Sequence, residues 1–452
     1  MKGKILLKKA ALHNLGCKVN AYETEAMREL LEKDGYEIVP FHEKADVYVI
    51  NTCTVTNVAD RKSRQMINRA RKENPDAVII AAGCYVQTAR DRNKDESDAD
   101  ILIGNNKKEG LISTLHEFLL NHNKESEIID INSGEVEYED LRVNDTEEHT
   151  RAFLKVQDGC NQFCSYCLIP FARGRARSRD KESIIEEIRH FAKKGYKEVV
   201  ITGIHLSSYG EGMGYGLIEL LEEANTINGI KRIRLGSIEP RIITEEFVKR
   251  VSKLENFCPH FHISLQSGCD KTLIAMNRKY TTLEFKHSCD LIREYFHHPA
   301  ITTDVITGFP GETAEDFAES RTFTDDVSFY EMHVFKFSRR EGTKADKMPG
   351  QLTESVKAER SHVLIEQSER NSRAFREEII GKETEVLVEY KEDIDGRSYW
   401  TGLTREYIRI AIPADVFSEG ENPQDQIYKG ISESFLTDEC IVLDRSSIIK
   451  VQ

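Results

Sequence analysis

The first third of the chain alternates short apolar runs with amphipathic stretches. Residues 10–15, 47–50 and 77–82 are apolar runs of strand length, and 22–33 and 58–73 repeat their apolar positions at helical spacing. Strands alternating with helices predict a parallel sheet. From residue 151 the alternation resumes, with strands expected at 153–157, 198–202, 231–235, 261–265, 302–306 and 332–337 and helical patterns that include 181–194 and 314–325. Six such units predict an incomplete (β/α)6 barrel. A charged helical segment at 352–380 follows, and the period then shortens to two at 384–390, 399–401, 407–411 and 434–443, which predicts a small terminal β-barrel. The polar stretch 123–150 reads as a linker with a short strand near 127–131, and the acidic stretch 91–100 as a solvated loop.

Each of the first three apolar runs ends just before a cysteine, at Leu15-Gly16-Cys17, Asn51-Thr52-Cys53 and Ala82-Gly83-Cys84. In open parallel sheets ligands sit outside the carboxyl ends of the strands, so these three cysteines share the edge where a ligand binds. Any one of them alone reads as a buried structural cysteine. The repeated placement instead points to three ligands of one iron-sulfur cluster.

A second triad stands after the first strand of the barrel, in Gly159-Cys160-Asn161-Gln162-Phe163-Cys164-Ser165-Tyr166-Cys167. Three thiolates can hold three irons of a four-iron cluster and leave the fourth free to bind a small molecule. Three cysteines in a polar, glycine-containing loop make a poor core pattern, although buried cysteine often behaves as a small hydrophobe. A structural zinc site would need a fourth ligand, and no tidy second pair follows. The ferredoxin spacing Cys-x2-Cys-x2-Cys-x3-Cys-Pro is also missing.

Bulk composition narrows the partners. The 452 residues carry 63 Lys and Arg against 77 Asp and Glu, a net charge of −14, so a nucleic acid would have to meet local basic patches. Ten cysteines over this length do not resemble a small disulfide scaffold and suit a reducing, cytoplasmic compartment. The basic start lacks an apolar segment of signal-peptide length, and no run is long enough to span a bilayer.

The Cys-x3-Cys-x2-Cys spacing resembles the radical S-adenosylmethionine (SAM) superfamily. The two triads in this order, with this barrel and this tail, resemble the radical SAM methylthiotransferases across nearly the whole chain. That resemblance implies a flavodoxin-like domain at 1–135 with an auxiliary 4Fe-4S cluster on Cys17, Cys53 and Cys84. It implies a radical SAM domain at 146–378 with a SAM-binding 4Fe-4S cluster on Cys160, Cys164 and Cys167, and an RNA-gripping TRAM domain at 379–452. Leu15-Gly16-Cys17-Lys18-Val19-Asn20, with Glu23 and Glu25, looks like the branch acting on N6-threonylcarbamoyladenosine, and Gln157-Asp158-Gly159-Cys160 and Ile169-Pro170-Phe171-Ala172-Arg173-Gly174 fit the same branch. The implied reaction places a methylthio group at C2 of that base at position 37, in the anticodon stem-loop of tRNA. One SAM serves as methyl donor and another as source of a 5′-deoxyadenosyl radical. A carbon-bound hydrogen of this kind is a poor target for a general base, so a cofactor-supplied radical is the sensible route. An electron donor such as flavodoxin or ferredoxin is implied, without membrane or DNA. The alternatives are methylthiolation of isopentenyladenosine in tRNA or of a ribosomal-protein aspartate and, outside the enzymes, a two-cluster electron carrier with an RNA-binding tail.

Around the SAM pocket the expected contacts are Tyr166, Gly203, His205, Ser237, Glu239, Gln266, Asp304 and Gly308, all at or near strand ends. Arg173, Arg175, Arg177 and Arg179 would project on one face of an extended segment, ready for phosphates or the SAM carboxylate. Arg61, Lys62, Arg64, Arg69, Arg71 and Lys72 make the helix at 58–73 a second possible RNA surface. The tail carries 8 Lys and Arg against 15 Asp and Glu from residue 381 onward, a net −7 that opposes binding a polyanion. Arg397, Arg405, Arg409 and Trp400 are its candidate RNA face. Cys258, Cys269, Cys289 and Cys440 have no expected role.

Overall fold

The computed structural model describes residues 8–89, 98–134, 136–145 and 150–451. Most of the basic start, most of the acidic stretch predicted to be a loop and part of the predicted linker lie outside the described residues. No helix among the described residues is long and apolar enough to cross a membrane.

The first unit is a parallel sheet of β1 (Lys9–Asn14), β2 (Glu37–Ile38), β3 (Val47–Thr52), β4 (Val78–Gly83), β5 (Ile101–Ile103) and β6 (Glu125–Glu127), in the order β2-β1-β3-β4-β5-β6. The first five strands follow a doubly wound order whose direction reverses between β1 and β3, where such sheets open a ligand crevice. Apolar clusters cover both faces: one holds Val47, Val49 and Ile80, the other Tyr48, Ile50 and Ile79. This two-sided burial explains why the strands read as continuous apolar runs. The short strand expected at 127–131 lies at Glu125–Glu127 instead, and β2 and β5 escape a periodicity reading because they are only two and three residues long.

The second unit has six parallel strands in chain order: β7 (Arg151–Asp158), then, past the short antiparallel β8 (Arg177–Ser178), β9 (Glu198–Gly203), β10 (Arg232–Leu235), β11 (His260–His262), β12 (Ala300–Thr307) and β13 (Glu331–Lys336). Single parallel bridges at Ile233–Phe257 and Ile238–Ile263 join the β10 side to the β11 side. Ala152, Leu154, Val199, Ile233, Phe261 and Val305 face the surrounding helices in the largest apolar cluster. Their neighbours along each strand therefore line the concave inner face. The first unit reaches both ends of this arc. Glu23 pairs with Lys155 of β7, and Arg340, just beyond β13, pairs with Asp60 and donates to Thr54.

The last unit contains β14 (Glu383–Ile394), β15 (Arg397–Leu403), β16 (Arg409–Pro413), β17 (Ile427–Thr437), β18 (Cys440–Leu443) and β19 (Ile449–Lys450). A β14–β17 pairing closes the first five into a ring around Val386, Val388, Ile410 and Ile441. The predicted strand at 434–443 is two strands, β17 and β18. This unit docks at the amino-terminal end of the arc, opposite the cysteines. Arg232 pairs with Glu385, and Arg234 donates to the Arg405 and Thr404 carbonyls. The Tyr407 ring stacks on His260 at 5.0 Å beneath the Arg234 guanidinium at 4.7 Å. Of the expected RNA face of this unit, Arg405 donates to the Glu255 and Phe257 carbonyls and Arg409 pairs with Glu392, while Arg397 is exposed. Trp400 packs half-buried against the ring's apolar core.

Candidate active site: two cysteine triads joined by a buried ion network

Cys17, Cys53 and Cys84 leave the carboxyl ends of β1, β3 and β4 and converge beside the crevice where the strand order reverses. Gly16 permits the approach: at φ +111° it lies in a backbone region that side chains rarely adopt, and a Cβ there would stand 3.0 Å from Cys53 Sγ. Asn20 ties the strand ends together by donating to the Leu15 and Thr52 carbonyls at 2.7 and 3.0 Å. Asn105, after β5, donates to Cys84 Sγ at 3.4 Å and to the Ala172 carbonyl at 2.8 Å. Cys53 and Cys84 are buried and Cys17 is exposed, which leaves one open side. Burial pushes the Cys53 thiol up to about 11.

The second triad follows β7. Gly159, at φ +70°, is obligatory because a Cβ would meet the Arg175 carbonyl oxygen at 1.9 Å. Cys160 Sγ accepts from the Gln162 amide at 3.5 Å and Cys167 Sγ from the Ile169 amide at 3.4 Å. Arg278 donates to Cys164 Sγ at 3.2 Å and pairs with Glu239 at 2.7 Å, and Glu239 in turn lies 3.1 Å from His205 Nε2. Burial pushes the Cys160 thiol up to about 11 and that of Cys167 to about 12. The three cysteines open onto a cleft lined by Tyr166, His205, Ser237, Glu239, Ser264 and Arg278.

A fully buried network joins the two triads. Arg173 contacts Glu23 at 2.9 Å, Asp158 at 3.0 Å and Asn20 Oδ1 at 2.6 Å. Lys155 lies 2.7 Å from both Glu23 and Asp158, and Lys108 lies 2.9 Å from Glu23. Burial alone would raise the two carboxyls, but Arg173 first, with Lys155 and with Lys108 (Glu23) or Arg177 (Asp158), holds both well below the usual range. Asn20 and Glu23 belong to α1 (Lys18–Lys33), which starts at Cys17, and Asp158 ends the strand before Cys160. The network therefore fixes one cysteine loop relative to the other.

Residues 9–104 match the family described as "Uncharacterized protein family UPF0004", and residues 154–324 match the radical SAM superfamily. Over 404 residues the chain is 41% identical to the threonylcarbamoyladenosine tRNA methylthiotransferase MtaB of Bacillus subtilis (strain 168), covering 88% of this chain and 89% of that one. The chain belongs to the radical SAM methylthiotransferases. Identity to the MtaB of Aquifex aeolicus (strain VF5) is 42% over 384 residues, covering 84% of this methylthiotransferase and 92% of that one. The tRNA-2-methylthio-N(6)-dimethylallyladenosine synthase of Moorella thermoacetica is 36% identical over 410 residues, covering 88% and 91%. The fold is similar to that of the radical SAM methyltransferase TsrM from Kitasatospora setae, with a TM-score of 0.55 at 16% identity over 75% of this chain and 77% of that one.

Four of the expected SAM contacts in this methylthiotransferase, Tyr166, His205, Ser237 and Glu239, line the cleft beside the cysteines. Gly203 packs behind it, where a Cβ would lie 2.9 Å from that of Gln157. Gln266, Asp304 and Gly308 do not line that cleft: Gln266 pairs with β12, and Gly308 makes room for Lys357 of the helix Glu354–Glu377. The alternating arginines do not form one face. Ile169-Pro170 opens a helical turn, Ile169–Arg173, that buries Arg173, while Arg179 turns into Glu187 and Asp140 and Arg177 into the Arg173 and Arg175 carbonyls. Only Arg175 stays outside these pairings, over the Phe163 ring at 4.6 Å. In α2 (Asn57–Glu73), Arg71 is tied to Asp100 and Arg69 to Glu73, while Arg61, Lys62 and Lys72 are exposed.

Arg278 was not legible in the sequence, because it comes from a loop far from the cysteines and carries no motif. Arg278→Met removes both the donor to Cys164 and the partner of Glu239. SAM cleavage is expected to fall about 10- to 100-fold, with iron content retained. Anaerobic assay of 5′-deoxyadenosine beside iron analysis checks this. The four remaining cysteines are buried, and their Ser variants are expected to keep full iron content.

Proposed function

We propose that this methylthiotransferase inserts a methylthio group at C2 of N6-threonylcarbamoyladenosine at position 37 of tRNA. One SAM is the methyl donor and another the source of the 5′-deoxyadenosyl radical. The observation that carries the substrate is the set of MtaB relatives at 39–42% identity, whose names specify threonylcarbamoyladenosine. The relatives named for dimethylallyladenosine match at 32–36%.

Cys17, Cys53 and Cys84 are assigned to the auxiliary 4Fe-4S cluster, and Cys160, Cys164 and Cys167 to the SAM-binding one. The donor sets fit. Each offers three thiols and an open side, and neither gathers three ligating atoms within 4.8 Å of one another, as a single ion would require. A four-iron cluster needs the wider spacing, because each thiolate holds a different iron. When bound, the cluster beside Cys164 supplies the electron that cleaves SAM. The chain's own work is to hold and insulate: Arg278 donates to the Cys164 sulfur, Glu239 orients Arg278, and Tyr166, His205 and Ser237 shape the cleft for the nucleoside end of SAM. Gly203 is kept as an outer contact of the same pocket, whereas Gln266, Asp304 and Gly308, which do not line it, are not assigned to SAM.

The domains in this reading are the auxiliary-cluster domain at 1–135, a partial radical SAM barrel at 146–378 and a TRAM domain at 379–452. The open arc β7–β13 and the closed ring β14–β18 support it. The tRNA anticodon stem-loop is assigned to the side of the first triad, where Arg61, Lys62 and Lys72 remain exposed on α2. The protein works in the cytoplasm with a flavodoxin or ferredoxin as electron donor, and needs neither membrane nor DNA. The substrate is tested by presenting stem-loops with threonylcarbamoyladenosine and with isopentenyladenosine in equal amounts. A preference of about a hundredfold or more for the first is expected, since a site built for polar groups rejects an apolar analogue strongly. The reverse preference would discard the substrate and keep the family.

A further inference from the structure

The concave face of the arc carries a second group of metal-ligating side chains that the proposed cluster chemistry leaves unused. His262 ends β11, Asp304 lies in β12 and His333 in β13. Asp304 stands opposite His333 in register, and His262 opposite Thr302, two residues before Asp304 on the same face. One ligating atom from each residue lies within 4.8 Å of the other two, the one such trio of His, Cys, Asp or Glu among the described residues. His262 Nε2 is 3.4 Å from Asp304 Oδ2, and the His262 and His333 rings lie 5.6 Å apart at 28°.

The surroundings prepare these groups for a cation. His262 Nδ1 lies 2.9 Å from the Thr302 hydroxyl. With its proton donated there, Nε2 presents a lone pair toward Asp304, the arrangement that orients metal-binding histidines. No Lys or Arg among the described residues forms an ion pair with Asp304, whose carboxylate faces His262. The side chains of His262, Asp304 and His333 are 15, 30 and 49% exposed, which leaves an entry path. All three stand on adjacent strands, whose pairing limits how far the ligands can spread.

We propose that His262, Asp304 and His333 bind one divalent transition-metal ion, Zn2+ being the probe, through two imidazole nitrogens and one carboxylate oxygen. This donor set suits zinc or ferrous iron and leaves coordination positions free for an oxygen ligand. Ser264, two residues beyond His262, lines the Cys160–Cys167 cleft, roughly 7 Å further along the strand direction. The site therefore lies next to the SAM cleft. The carboxylate of a threonylcarbamoyl group is a ligand of the right class, and that extension rests on the substrate reading above.

The test uses holoenzyme with both clusters reconstituted, so that iron occupies the cysteines. It is equilibrated with Zn2+, freed of unbound metal by gel filtration, and analysed for zinc, iron and sulfide. Wild type is expected to retain about one zinc per chain more than His333→Ala or Asp304→Asn, at equal iron and sulfide, with retention weakened about 10- to 100-fold by each change. Equal zinc in wild type and both variants would overturn the site. No tRNA enters the measurement, so its failure leaves the proposed substrate untouched, and a wrong substrate leaves the metal site standing.

Discussion

Cys17→Ala is expected to abolish methylthiolation while SAM cleavage continues, with iron content falling by about half. Cys17 is exposed, so its removal opens no hole in the core. It caps α1 through no side-chain hydrogen bond, so the helix start survives the change. The effect therefore reports the loss of one of the three proposed cluster ligands. The Cys160–Cys167 loop stands on a different strand and keeps its own Gln162, Ile169 and Arg278 donors. Nucleoside mass spectrometry beside a 5′-deoxyadenosine assay separates the two activities. Retained product would reject the auxiliary-cluster assignment, and loss of deoxyadenosine as well would show that the triads do not act separately.

Arg173→Met is expected to give the largest loss of stability, about 3–5 kcal/mol, because it leaves two buried carboxylates short of their main partner. Thermal unfolding of wild type and variant at equal cluster content measures it. The pH dependence has a definite sign. Both Glu23 and Asp158 have folded-state values below their unfolded ones, so the network's stabilisation is fully present above about pH 4.3. It is lost as pH falls through the folded-state values. The gap between wild type and variant should therefore be widest near neutrality and narrow below about pH 4. A gap that is constant over pH 3–7 would mean that Arg173 stabilises by packing alone.

Much of this architecture could be read from the chain because local pattern and tertiary placement agree. Apolar runs ending in Gly16-Cys17, Thr52-Cys53 and Gly83-Cys84 are strands buried on both faces, and a parallel sheet brings their ends together whatever the loops between them do. The helix at Lys181–Lys194 was legible to the residue, because Asp180 caps its start and Gly195 ends it. What escaped depends on partners remote in sequence. The arginines from 173 to 179 alternate as a strand would, yet Pro170 at the start of a helical turn and Gly174 after it send them in different directions. Arg405 and Arg409 read as an RNA face, but Arg405 is tied to carbonyls of the arc and Arg409 to Glu392 on β14, across the intervening β15. A guanidinium on the surface and one in a buried pair look the same in a sequence; only the fold brings the carboxylate or carbonyl that decides between them.

The most direct measurement follows the methyl group. Reconstituted protein, reductant and a stem-loop bearing threonylcarbamoyladenosine are combined anaerobically with SAM deuterated at its methyl. Products are then quantified by mass spectrometry. The expected result is a methylthio adduct on that nucleoside carrying all three deuterons, with one S-adenosylhomocysteine and one 5′-deoxyadenosine per adduct. Deoxyadenosine formed with an unmodified nucleoside, or an adduct whose methyl carries no deuterium, would contradict it.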